Sequence, residues 1–399
     1  SFVMILPLFA RRFSEFGAGV DALGESAMAY ALTSTLAAPF MGALSDRFGR
    51  RPLVLGALAV YILAFSGYLF ASSAPIFILL RGLAGAFTAG LIPAVTGIVS
   101  DLAPTEQRAQ WIGIVSAGGS FGWIAGPLLG GVLYDQWGSA IPFVVAILMA
   151  VLTFILALLA IPETRKESPR ADAKAGRTSM PRPWQNLVSS LHIFRETLPA
   201  SLPNFIILLS ICFAVMFAWA FIEPRFMFYA YEDLGWSSSM LGLVMSTYGV
   251  AMTLGELGLS RLSDRFGRKP VIVVGLVLFA AQFIGLAFSR DYVFIAAAFV
   301  IAGLGNALYD PALSAYILDI APAEHQVRIL GIKSTAGSLV NILGPALVVL
   351  FTPFLQARSI FLIATGIVAL ITLVSLFVRS ASQISNSSLT PKMAEEKAS

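Results

Sequence analysis

The sequence predicts an all-α membrane protein of twelve spans arranged as two related six-helix bundles, and three observations predict it. Of its 399 residues, 57% are hydrophobic and 12% charged, against about 25% charged in an average soluble domain. Apolar runs close to the roughly 20 residues that a hydrocarbon core demands follow one another nearly end to end. The first half of the chain also recurs in the second at a constant offset.

Taken in order, charged or Gly/Pro-marked breaks fall near residues 18–24, 46–52, 72–75, 101–109, 135–139, 162–202, 231–237, 261–270, 289–292, 319–327 and 352–358. Eleven breaks separate twelve spans. Formal net charge is +4, and its placement decides its meaning. With both termini inside, the inner breaks hold sixteen basic residues, among them Arg47, Arg50, Arg51, Arg108, Arg265, Arg268 and Lys269, whereas the outer breaks hold Arg11, Arg12, Arg290 and Arg358. That asymmetry is the positive-inside pattern and puts both termini in the cytoplasm. The positive charge therefore calls for no nucleic-acid partner.

The repeat has a fixed register of 218 positions, as from Asp46 to Asp264. Leu44-Ser-Asp-Arg-Phe-Gly-Arg50 returns as Leu262-Ser-Asp-Arg-Phe-Gly-Arg268, and Gly85, Pro93, Asp101, Gly113 and Gly126-Pro127 map onto Gly303, Pro311, Asp319, Gly331 and Gly344-Pro345. Parallel halves related by an axis along the membrane normal are a known transporter layout, with the substrate path between them. The expected domains are a bundle at 1–162, a cytoplasmic linker at 163–202, a second bundle at 203–379 and a cytoplasmic tail at 380–399. In the linker, Trp184, Leu187, Val188, Leu191, Phe194 and Leu198 recur at helical spacing and suggest a short helix on the membrane surface. By the repeat, the first part of span 1 would fall before residue 1.

Between spans 2 and 3 stands Gly42-Ala-Leu-Ser-Asp46-Arg47-Phe-Gly49-Arg50-Arg51, with a second copy carrying Asp264, Arg265, Gly267 and Arg268. An acid at a helix end accepts hydrogen bonds from the start of a neighbouring helix, and the basic cluster suits an anionic inner leaflet, so the run reads as a conformational latch. Arg81 in span 4 is a guanidinium inside an apolar run, where it costs at least ~2.5 kcal/mol unless it faces a cavity or a partner. Span 5 carries Gly113, Gly122, Gly126, Pro127, Gly130 and Gly131. Glycines four apart admit a neighbouring backbone, and Pro127 removes a backbone donor, so this helix reads as a hinge.

These three motifs resemble the loop, span 4 and span 5 signatures of the major facilitator superfamily, and over the whole chain the sequence is similar to its twelve-span drug:proton antiporters. The resemblance implies the major facilitator fold, with twelve transmembrane helices in two pseudo-symmetric six-helix bundles. It further implies a monomeric exporter in a bacterial inner membrane, driven by the proton gradient without a cofactor, and a coupling role for Arg81.

Both histidines, His192 and His325, fall in breaks, which leaves carboxylates as proton carriers. Glu25, Glu223, Glu256 and Asp310 are the embedded acids. Burial disfavours the charged form of a carboxyl, as a reversible carrier requires. Asp310, beside Pro311 near mid-membrane, and Glu223 are the expected carriers. Tyr30, Trp219, Tyr248, Asn306, Tyr309 and Asn341 are the candidate cavity lining, since aromatic walls with few fixed hydrogen bonds suit lipophilic, often cationic compounds. Tetracycline exporters share this layout, but Gly90 to Gly97 lacks the acid expected there, which argues against that substrate. A specific metabolite, sugar or lipid would fit the same motifs, and so would a non-transporting sensor. The lone Cys212 assembles neither a disulfide nor a thiolate metal site, and without a catalytic constellation an enzyme is not expected.

Overall fold

A computed structural model describes residues 2–104, 107–163, 202–321 and 326–378. The expected surface helix and tail lie outside the described residues. Within them the chain forms helices and no strand. In the first bundle, α1 comprises Phe2–Ile5 and Leu8–Glu15, broken at Pro7; α2 is Val20–Phe48; α3 is Arg50–Phe70; α4 comprises Ala74–Thr88 and Leu91–Leu102; α5 is Arg108–Trp137; α6 is Ala140–Ala160. In the second, α7 is Leu202–Phe228 with a closing π-turn at Tyr229–Asp233; α8 is Ser238–Phe266; α9 comprises Arg268–Phe279 and Ala281–Phe288; α10 is Tyr292–Ile320; α11 is Gln326–Phe351; α12 is Ala357–Ser375. Among the described residues, eleven helices, α2 to α12, are long and apolar enough to cross a membrane.

The expected loops at 46–52 and 261–270 are each a single glycine. Gly49 (φ 100°) joins α2 to α3, and Gly267 (φ 90°) joins α8 to α9. A side chain in this left-handed region costs about 1–2 kcal/mol, so the chain reverses direction only because glycine stands at both equivalent positions. Around Gly267 an added Cβ would meet only Pro270 Cδ, at 3.9 Å. Gly267→Ala is therefore expected to lower stability by about 1 kcal/mol through backbone strain alone. Gly258→Ala, in the helical and open α8, should be neutral or stabilising by up to ~1 kcal/mol. Thermal unfolding in detergent checks the pair.

Apolar side chains cover much of the outside, including Leu63, Phe70, Leu159, Leu257 and Phe354, each at least 70% exposed. Such a surface is stable against lipid. The first bundle has an aromatic core in which Tyr68 stacks on Phe77 at 4.6 Å and Phe9 meets Phe77 edge-on at 5.0 Å. In the second, Phe226 stacks on Phe299 at 5.2 Å. The repeat extends to packing. Gly85 in α4 leaves no room for a Cβ against the Tyr30 carbonyl of α2, as Gly303 in α10 leaves none against the Tyr248 carbonyl of α8.

The bundles meet along α5 with α8 and along α2 with α11, and they meet at one end. That end is the far side; the opposite end, where α6 finishes and α7 starts, is the linker side. On the far side, Gly242 fits against the Pro127 carbonyl, Gly131 against that of Ser238, and Gly24 against Val349 and Pro345. On the linker side, Gly113, Gly118, Gly119 and Gly122 of α5, and Gly331 of α11, would meet no atom of the described residues within 4 Å if a Cβ were added. Among the described residues the bundles are thus closed on the far side and open on the linker side.

Candidate transport site

Between the bundles lies a cavity of about 330 Å³ whose lining includes Tyr30, Arg81, Trp123, Glu223, Met227 and Asn341. Arg81 projects from the middle of α4 and is 5% exposed. Its guanidinium carbon lies 4.4 Å from the Tyr30 ring centroid and 5.2 Å from those of Phe2 and Phe9. Contacts of that kind are worth up to ~2 kcal/mol when desolvated. They leave part of its hydrogen-bonding capacity unused, since among the described residues Nε and Nη1 are buried without a partner. Glu223, from α7 of the other bundle, lines the same cavity. A cation and an acid thus stand on opposite bundles around one space, each able to respond to what occupies it.

Of the six residues expected to line the cavity, Tyr30 and Asn341 do so. Tyr30 also shares a hydrogen bond with Thr88 (3.2 Å). The equivalent pair in the second half is Asn306 donating to the Tyr248 hydroxyl (2.9 Å), and Asn306 also donates to that of Tyr309 (3.3 Å). Tyr248, Asn306 and Tyr309 thus satisfy one another between α8 and α10, away from the central cavity. Trp219 packs edge-on against Phe299 within the second bundle.

Asp310 does not line the central cavity's described wall. Its side chain is 47% exposed and pairs with Lys333 of α11 at 2.9 Å, and Lys333 also donates to Ser314 (2.7 Å). Arg225 pairs with Asp233 at 3.3 Å. Lys333 escaped the sequence reading, although a lone lysine inside the apolar α11 is the same signal that marked Arg81. Lys333→Met should lower stability by roughly 1 kcal/mol, because it strands a carboxylate in a span. Asp310→Asn in the same chain should restore it, as thermal unfolding of the single and double variants would show.

The residues expected to form a latch make their contacts inside each bundle. Arg50 at the start of α3 pairs with Asp101 at the end of α4. Its equivalent Arg268 pairs with Asp319 at the end of α10 (3.1 Å) and with Asp264 (2.6 Å). The symmetry continues one residue on. Arg51 donates to the Leu158 carbonyl at 2.7 Å, and Lys269 to that of Leu376 at 2.6 Å. Arg47 and Arg265 lie over the rings of Phe48 and Phe266, Asp46 sits in the last turn of α2, and Gly42 has open space around it.

In α5 the glycines divide by position. Gly126 and Gly130 receive the backbone of α1 at Val3 and Met4, and Gly131 receives the start of α8. Gly113 and Gly122 receive nothing, and α5 runs through Pro127 without a break.

The far-side closure itself was not read from sequence. Asp135, at the end of α5, accepts from the Ser238 and Ser239 backbone N–H groups at 3.0 and 2.7 Å. One bundle thereby caps a helix of the other, an interaction worth about 1 kcal/mol. Arg11 donates to the Trp236 carbonyl (3.0 Å) and lies over the Tyr231 ring, whose hydroxyl donates to the Pro7 carbonyl (3.1 Å).

The model of the Major Facilitator Superfamily matches residues 1–231 and 208–398. The chain is 31% identical over 325 residues to the class C tetracycline resistance protein of Escherichia coli, covering 80% of this chain and 77% of that one. It is 28% identical over 357 residues to the class B protein of the same organism, covering 86% and 83%. Among solved structures, the human organic anion transporter MFSD10 superposes with a TM-score of 0.66 at 21% identity over 94% of this chain and 95% of that one; at that identity the likeness concerns the fold. With the repeat, the helix order and the interbundle cavity already in place, these matches settle the family: the chain belongs to the major facilitator superfamily, a family of membrane transporters rather than enzymes.

Proposed function

We propose that this protein is a proton-coupled antiporter that exports lipophilic or cationic compounds by alternating access, and that it works as a monomer in a bacterial cytoplasmic membrane with both termini inside. The observation that carries the reading is the cavity in which Glu223 and Arg81, whose Nε and Nη1 are buried without a partner among the described residues, stand on opposite bundles. Its aromatic lining, Tyr30 and Trp123, tolerates varied shapes, and Glu223 supplies a negative charge that a cationic substrate can compete for with a proton.

In this scheme the observed state admits substrate from the cytoplasm. A cationic substrate displaces the proton of Glu223 to the cytoplasm and neutralises the carboxylate in its place, which removes the cost of enclosing a charge when the linker side closes. The far side then opens, a proton replaces the substrate on Glu223, and the neutral carboxyl permits the return. Asp310, exposed on the linker side and paired with Lys333, is the second exchange point, where a proton leaves to the cytoplasm. Fluorescent-dye efflux from cells, with and without a proton uncoupler, tests the scheme. Efflux that the uncoupler stops supports it, and uncoupler-insensitive efflux removes proton coupling.

A second substrate reading has its own support. The tetracycline resistance proteins of Escherichia coli align over most of this chain, even though residues 90–97 contain no acid. Tetracycline tolerance conferred on susceptible cells by this chain, and lost in Glu223→Gln, would establish it. Export of one metabolite, sugar or lipid would instead show as efflux of that compound and of no dye.

A further inference from the structure

We propose that the far-side end of the second bundle holds an anion site for the phosphate of an acidic phospholipid headgroup, separate from the transport cavity. A crevice of about 580 Å³ opens there among α7, the turn between α9 and α10, and the start of α12, with Arg225, Asp233, Phe288, Arg290, Gln356 and Arg358 in its lining. Three guanidiniums face it against one carboxylate. Asp233 is taken by Arg225, and among the described residues Arg290 and Arg358 form no ion pair.

The placement is unusual for this chain. Four arginines fall in the breaks on the outer side of the predicted topology. Arg12 is used on the Leu69 and Ala71 carbonyls, both at 2.9 Å, and Arg11 on that of Trp236. The other two, Arg290 and Arg358, converge on this crevice, where Arg225 joins them with a buried, unpartnered Nε. The first turn of α12 adds backbone donors. Gln356, its N-cap, provides no side-chain hydrogen bond, so the N–H groups and the positive end of the helix remain available at Ala357 and Arg358.

The neighbourhood selects a lipid over a free anion. Phe288, 63% exposed, lies under the Arg358 guanidinium at 5.3 Å, so the cationic rim continues directly into an apolar surface. A phosphate with acyl chains satisfies both parts, and inorganic phosphate satisfies only one. The bound headgroup would tie α7, α9 and α12 together at the end where the bundles close.

The test uses the purified full chain in neutral detergent, titrated with phosphatidylglycerol, phosphatidylcholine or inorganic phosphate, with retained lipid read by native mass spectrometry and stability by thermal unfolding. Phosphatidylglycerol should bind and stabilise, and its affinity should fall roughly fivefold for each of Arg290→Gln and Arg358→Gln. Arg108→Gln, a charge loss on the linker side, should leave the affinity unchanged, and Arg358→Lys should retain most of it, which separates charge from folding damage. Equal affinity in the parent and the Arg290→Gln/Arg358→Gln double variant overturns the site. Stabilisation by inorganic phosphate without any effect of phosphatidylglycerol overturns the lipid assignment.

Discussion

Glu223→Gln is expected to abolish efflux driven by a pH gradient while leaving substrate binding measurable. Glutamine keeps the size and the polar contacts of the side chain but has no proton to exchange, so the carrier can still load yet cannot couple. It also leaves Arg81 facing the cavity without an acid opposite it. A cationic dye should therefore bind more weakly and a neutral one nearly as before. Proteoliposomes loaded at one pH and diluted into another give the coupling, and dye fluorescence quenching gives the binding. Gradient-driven efflux at the parent rate in Glu223→Gln would remove Glu223 from the cycle and leave Asp310 as the remaining candidate.

The second large effect concerns closure. Gly131 abuts the Ser238 carbonyl so tightly that no Cβ fits, and both neighbours are backbone, which cannot rotate away. Gly131→Val should force α5 and α8 apart on the far side. Overpacking of this kind costs about 1–3 kcal/mol, which is a shift of roughly 5–150-fold toward the far-open state. The same substitution at Gly122, which has no neighbour within 4 Å, should leave the far side closed. Spin labels at Gln136→Cys and Ser239→Cys report the separation, against a background of one buried native cysteine, Cys212. An unchanged label distance in Gly131→Val would mean that the far-side contact does not set the state.

The fold was legible because lipid imposes a coarse rule: every span must be long and apolar, and a duplicated gene writes that rule twice in one register. Span boundaries followed. What the rule does not specify is how tightly a break turns. The two basic motifs read as loops, yet Gly49 and Gly267 reverse the chain in one residue, because a positive φ does in one step what a loop does in several.

The site was partly legible for a related reason. A charged group inside a span must be satisfied somewhere, which singled out Arg81 and Glu223, and both line the cavity between the bundles. Composition does not say where. Asn306, Tyr248 and Tyr309 answer one another across α8 and α10, and Asp310 is answered by Lys333 from α11. The register could have exposed the first of these arrangements, since Tyr30 and Thr88 make the equivalent contact. Asp135 was beyond reach, because its partners lie more than a hundred residues away in the other bundle.

The vacant glycines at one end of α5 have a mechanical reading. The helix is 30 residues long, about 45 Å at the rise of an α-helix, so a pivot of ~10° about its middle swings each tip by roughly 4 Å in opposite senses. Under the proposed alternating access, one rod notched at both ends would act as a seesaw, the notches now filled emptying as those at Gly113 and Gly122 fill. Seating one set of notches would then offset unseating the other.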